Sequence, residues 1–337
     1  MTVLVLAFAG LGLAGALAAT SLASSRLAGL TASAVAGTSS LGLGGETPPP
    51  GEEILFTRAA SSFARRSLYL INPDGTGVRL FVSGAEAAAV SRDGQWIAFV
   101  RGGEIWMMRR DGSGQVRVTR PQGGWTDAGD PAWSPDGKTL YFFRDAKPVD
   151  KGSAIFSVAI DGSGLRRLTR LRCDYRPTAS ADGHFVVFGR ILGDCIHGDS
   201  GAVRVVTTAT ARVVRRLPFR FPSLWLYDPA WSPDERQLAY TVINADALNG
   251  GPTGPSRMCC GLYLSGLDGS RPRRLLGRDF FVFGPAWSPD GTQLAFELFG
   301  NDGDIWLIGS DGSQLRRLTQ TKADDSQAVW LPAQTPP

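Results

Sequence analysis

The chain has 337 residues, a formal net charge of +4 and four cysteines. So small an excess of base, with arginine spread along the chain, argues against a nucleic-acid or anionic-surface protein, whose cations gather on one face. The 42 glycines and 21 prolines, with no sustained 3.6-residue period after Ala36, exclude a helical bundle and point to strands joined by turns.

Thr2 to Ala19 carry no charge and are mostly Leu, Ala, Val and Gly. Residues 1–25 therefore read as a signal peptide or membrane anchor, with Ala16-Leu17-Ala18 as a small-x-small cleavage site. The protein is expected to be periplasmic or extracellular, the apolar segment being either removed or kept as an anchor. Residues 26–51, rich in Ala, Gly, Ser and Thr and ending in Pro48-Pro49-Pro50, cannot build a core and read as a flexible linker. Residues 52–332 read as one domain, and 333–337 as a tail.

Within that domain the segment Pro131-Ala132-Trp133-Ser134-Pro135-Asp136-Gly137 returns near Trp231 and Trp287. Weaker copies surround Val90, Ala179 and Trp330, at intervals of 43, 46, 52, 56 and 43 residues. A period of this size means one supersecondary unit repeated, each copy unable to bury its apolar face alone. The Ser-Pro-Asp-Gly segment is a turn between two strands. A third strand follows, such as EIWMM from Glu104 or DIWLI from Asp304, and ends at a second turn, such as Asp161-Gly162 or Asp311-Gly312. Asp-Gly between apolar runs is a hairpin signal. A fourth strand with paired arginines and a closing Leu-Thr completes the unit, as in Arg166-Arg167-Leu168-Thr169. Four antiparallel strands in six units predict an all-β, six-bladed β-propeller. Residues 53–82 lack a first strand and Gln327 to Leu331 supply only a first strand. The termini should complete one blade together and leave no open sheet edge.

PAWSPDG followed by LAF, IWLI and DGSQLRRLT resembles the repeat of the TolB-type propeller, a WD40-like repeat shared with propeller domains of prolyl oligopeptidases. The resemblance covers roughly Glu52 to Pro332 and implies a propeller that binds peptides or proteins. The stretch ahead of Glu52 does not read as the α/β domain that precedes the propeller in the family's namesake.

The repeated tryptophans recur once per unit on first strands and are expected to pack blade on blade. The paired arginines fall on outer strands, where charge protects an edge. Short, repetitive turns occupy one face, so binding is expected among the variable loops of the other. Trp125, Trp225 and Tyr227 are the aromatic candidates there, with Asp194 and His197 in the long loop of the fourth blade. All four cysteines map to that face. In an exported protein they read as disulfides of three alternative connectivities. Cys173 with Cys195 comes first because both lie in one blade, leaving Cys259 and Cys260 as a vicinal ring or as thiols. A metal at Cys195-Ile196-His197, with Asp194 and Asp199, is the weaker alternative.

No catalytic residue is assigned. There is no Gly-x-Ser-x-Gly, and Gly198-Asp199-Ser200-Gly201 lacks a placed base, the histidines being His184 on the turn face and His197 in the same loop. Two functions follow. The first is a non-catalytic, monomeric binding module without cofactor or metal, using loops of blades four and five to hold a protein or peptide. The alternative is a propeller enzyme of lyase, lactonase or glycosidase type, with an acidic or metal site at the channel mouth drawn from Asp127, Asp130, Asp194, Asp228, Asp246 and Asp302.

Overall fold

The structure, a computed structural model, describes residues 51–60, 65–148, 151–192, 195, 200–216, 224–244, 261–276, 281–299 and 303–333. Its strands form six sheets of four strands each, every neighbouring pair antiparallel. The first sheet joins Glu53–Ala59, Ser67–Ile71 and Arg79–Ser83 to Asp324–Leu331, the last strand of the chain. The five sheets that follow in sequence have Glu86–Val90, Trp125–Trp133, Cys173–Ala179, Leu224–Trp231 and Phe281–Trp287 as their first strands. Each of these first strands touches the next, and Asp324–Leu331 touches both Phe281–Trp287 and Glu86–Val90. The sheets thus close into a ring around the first strands. Ile54 lies opposite Trp330 and Glu53 opposite Leu331, so the two termini are zipped together.

Sheets that pack on both faces need strands apolar on both faces. The second strands meet that demand: Ile97, Ala98, Phe99 and Val100 are all buried, as are Leu140 to Phe143 and Leu294 to Phe296. The turn ahead of each is held by a repeated set of hydrogen bonds. The Ser134 hydroxyl donates to Asp136 at 2.6 Å and accepts from the Thr139 N–H at 2.9 Å, while Asp136 accepts the Lys138 N–H. Ser232 with Asp234 and Ser288 with Asp290 repeat it. These bonds favour the charged carboxylate and hold Asp136, Asp234 and Asp290 below the usual range. The closing Leu-Thr is explained in the same way, for the hydroxyls of Thr119, Thr169 and Thr319 accept the N–H groups of Ile105, Ile155 and Ile305.

Contacts between sheets repeat too. The indole N–H groups of Trp133, Trp287 and Trp330 donate to the carbonyls of Ala89, Ala230 and Ala286 in the preceding sheet, at 3.0–3.2 Å. Trp231 has no such acceptor. The outer-strand arginines do more than charge an edge: Arg166 donates to the carbonyls of Thr208 and Ala209, Arg273 to those of Ser310 and Asp311, and Arg316 to that of Pro73. Each reaches the second turn of the following sheet and staples two sheets at the circumference.

Cys173 and Cys195 form the expected disulfide, with Cα atoms 5.3 Å apart and 22 residues between them in sequence. It ties the start of a first strand to the loop beyond Phe185–Leu192, at the end of the ring away from the Ser-Pro-Asp turns. Gly152 packs against it: at φ +99°, a Cβ there would lie 2.2 Å from the Arg172 carbonyl oxygen and 2.9 Å from Cys195 Sγ. For a loop of this length, reduction is expected to cost roughly 3 kcal/mol, measurable as a lower urea midpoint with dithiothreitol present. An unchanged midpoint would show that the bridge constrains nothing the fold needs. Cys259 and Cys260 lie outside the described residues, as do the 1–25 segment, the 26–50 part of the linker and the last four residues of the tail.

Candidate functional site

The first strands share one irregularity. Each slips its register against the second strand at the same place. Each there holds one residue in the left-handed region: Ala87, Asp130, Arg176, Asp228, Gly284 and Gln327, with φ between 46° and 54°. All stand three positions before the repeat mark. A bulge re-aims a side chain and interrupts pairing. Left-handed backbone in residues other than glycine is sparsely populated and clusters at functional sites. Five such residues and Gly284, on six strands of a ring, meet around its axis.

They form the floor of a funnel of about 710 Å³. Its wall is the rest of each first strand, repeated Pro, Ala and Trp, and it widens to the Ser-Pro-Asp turns, where Arg92 and Glu235 stand at the rim. On the floor Arg176 Nε lies 2.8 Å from Asp228 Oδ1 and 3.7 Å from Asp130 Oδ2, so one guanidinium spans three sheets. Asp228 Oδ2 accepts the Gly284 N–H at 2.7 Å. Gln327 Oε1 accepts the Ala87 N–H and the Thr57 hydroxyl, both at 3.1 Å. In these two cases the side chain of one bulge holds the backbone of the next. Gly284 and Ala87 are the small members of the floor. A Cβ on Gly284 would come within 3.3 Å of Arg176 Nη1.

Carboxylates crowd the far side of this floor. Glu297, opposite Phe283 in the register, is pushed up to about 7 by burial, with Asp228 and Asp324 adding repulsion against the pull of Arg176 and Arg66. Burial also raises Asp130, opposed by Arg176 and reinforced by Asp228 and Glu86. Asp145 is 1 % exposed and neither carboxylate oxygen has a hydrogen-bond partner. Burial first, then Asp127 and Asp130, lift it to about 7.

Of the residues singled out from sequence, Asp130 and Asp228 are brought together here, and Asp127 stands immediately before the buried Ala128, near Gly103. Trp125 is not a free loop aromatic. It begins Trp125–Trp133 and packs edge-on against Phe156, with ring centroids 4.8 Å apart. Trp225 and Tyr227 belong to the strand Leu224–Trp231, in register with Ile243 and Thr241, and the structure describes only their backbone. Asp194, His197, Asp246 and Asp302 lie outside the described residues. The funnel lies at the turn end of the ring, whereas sequence reasoning looked among the variable loops at the other end. Arg176 and Gln327 went unnoticed because the mark used to align the repeats was the tryptophan. The varying residue three places earlier carried the signal. Among the described residues, no group of three His, Cys, Asp or Glu is disposed to hold a metal ion.

A TolB from Acinetobacter baumannii superposes on 84% of this chain and 67% of its own, with a TM-score of 0.67 at 18% identity. The fold is a TolB-like β-propeller. Over 106 residues, the chain is 33% identical to the Tol-Pal system protein TolB of Anaeromyxobacter dehalogenans. That match covers 31% of this chain and spans about a fifth (21%) of the relative's length. An oligogalacturonate lyase in complex with manganese also resembles the propeller, with a TM-score of 0.55 at 13% identity over 78% of this chain and 73% of its own. No family model matches the chain.

Proposed function

We propose that this chain is a non-catalytic binding module, exported to the periplasm or beyond, that grips a protein partner through the axial funnel. The observation that carries the reading is the ring of six bulges at the base of a 710 Å³ space. Five of these six positions hold a residue other than glycine in a strained conformation, which costs stability. Asp130, Arg176, Asp228 and Gln327 among them are polar. Walls of Trp, Pro and Ala offer apolar contact around a polar base, the composition of a recognition pocket. The relatives named for a Tol-Pal system support a protein as the partner.

The alternative, a propeller enzyme, rests on Asp130 and Asp228 and on the likeness to the lyase. Both carboxylates pair with Arg176, and no histidine, serine or cysteine lines the floor as a partnered nucleophile or base. The binding reading fits this arrangement better.

Site-specific photo-crosslinking in the native envelope tests it. A benzophenone side chain at Glu235, on the rim, is expected to capture a discrete protein, whereas one at Gln115, on the circumference, captures none. Equal capture from both positions, or from Gln115 alone, would remove the funnel as the contact surface.

A further inference from the structure

The floor of the funnel is unbalanced in charge. The charged groups that line the funnel are the carboxylates of Asp130, Asp228 and Glu235 and the guanidinium groups of Arg92 and Arg176. On the floor itself two carboxylates face one guanidinium. That guanidinium, Arg176, is already engaged with the two aspartates. An anionic ligand would have to compete with carboxylates already in place. A cation entering from the mouth meets oxygen atoms in a site walled by apolar side chains, where Coulombic attraction is weakly screened.

The dimensions decide what can carry that cation. The wall runs from the bulge to the serine of the turn, four residues on, a depth of about 13 Å at the rise of a strand. A lysine or arginine side chain reaching in from outside is too short, so the backbone of the ligand must enter as well. We propose that the funnel receives a loop of a partner protein whose tip presents a lysine or arginine to Asp130 and Asp228. This rests on the binding reading above and adds to it the chemistry of the occupant. Tryptophan and proline on the wall suit the aliphatic stem of such a side chain and the flanks of the loop.

The probe is a random-peptide library displayed as constrained loops, so that no free amino terminus is offered, selected on the full chain. Loops are kept if they crosslink from the benzophenone at Glu235. These loops are expected to converge on a lysine or arginine at one position. Its replacement by norleucine should weaken binding roughly tenfold or more, the loss of a charge-assisted hydrogen bond. Asp130→Asn with Asp228→Asn should remove the preference for the basic residue. Ala87→Arg, which adds a cation at a position where Arg176 shows that arginine adopts the same φ, should block binding, and it keeps the test open if the double variant fails to fold. Rim-crosslinking loops that carry no basic residue, or that bind equally well after the norleucine change, would overturn the proposal and leave the funnel standing. Loops that bind without crosslinking from Glu235, or no binders at all, would overturn both.

Discussion

Glu104→Ala is expected to lower the folding free energy by roughly 3–5 kcal/mol, because it strands a buried guanidinium. In the first and fourth sheets, the arginine of the second strand faces an aspartate of the first: Arg58 pairs with Asp325 at 2.6 Å and Arg190 with Asp174 at 2.5 Å, each directly opposite in the register. In the third sheet the residue opposite Arg144 is Ala128. Arg144 turns instead to the neighbouring sheet, where Glu104 Oε2 lies 2.7 Å from Nη2 and the Arg120 carbonyl accepts from the same nitrogen. Its side chain is fully buried, and Nε and Nη1 have no partner. Removing Glu104 leaves Arg144 with one carbonyl. The Thr119 hydroxyl, which donates to Glu104, loses its acceptor as well. The paired change Glu104→Leu with Arg144→Met should recover most of the loss, since an apolar pair of similar volume needs no compensation in that site. Urea unfolding of parent, single and double variants measures both. A single variant within 1 kcal/mol of the parent would mean that water reaches Arg144.

Asp145→Asn should stabilise the protein above neutral pH and have little effect near pH 4. Burial raises the Asp145 carboxyl from an ordinary 3.8 to about 7, helped by Asp127 and Asp130. Between those values the folded chain keeps a proton that the unfolded chain has released. Stability must therefore fall as pH rises through that window. Three units correspond to a difference on the order of 4 kcal/mol at pH 8, and the asparagine variant escapes it. Glu297, also raised to about 7, adds a parallel loss that Asp145→Asn leaves in place. The turn carboxylates Asp136, Asp234 and Asp290 act in the opposite sense, their contribution disappearing as pH falls below the ordinary range. The parent should be most stable near pH 5. Melting curves at pH 5 and pH 8 distinguish the cases, and identical shifts for parent and variant would place Asp145 in contact with solvent.

The repeat was legible because turn chemistry and tryptophan recur at fixed places. Ser134, Asp136 and Trp133 make the same bonds as Ser288, Asp290 and Trp287, so a pattern of letters is also a pattern of hydrogen bonds. The disulfide was legible for a related reason, since both cysteines fall within one unit. The floor of the funnel was not. Among Ala87, Asp130, Arg176, Asp228, Gly284 and Gln327 only aspartate recurs, and the rest differ in size and charge. What they share is a backbone angle that no composition reveals. Trp125 was misplaced because the first strand of its sheet begins earlier than the repeat suggests, running from Trp125 to Trp133 where the second sheet has only Glu86–Val90. Arg144 and Glu104 were invisible for a different reason: their pairing depends on which residue the register leaves opposite Arg144.

The zipped termini also orient the molecule. Glu53 faces Leu331 at the turn end, and Arg110 donates to the carbonyls of both Pro332 and Gly51, fixing the point at which the leading segment departs beside the rim. The described part of the chain therefore both begins and ends beside the mouth of the funnel. A label attached at Gly51 or at Ala333 would stand at that opening, close to whatever enters it.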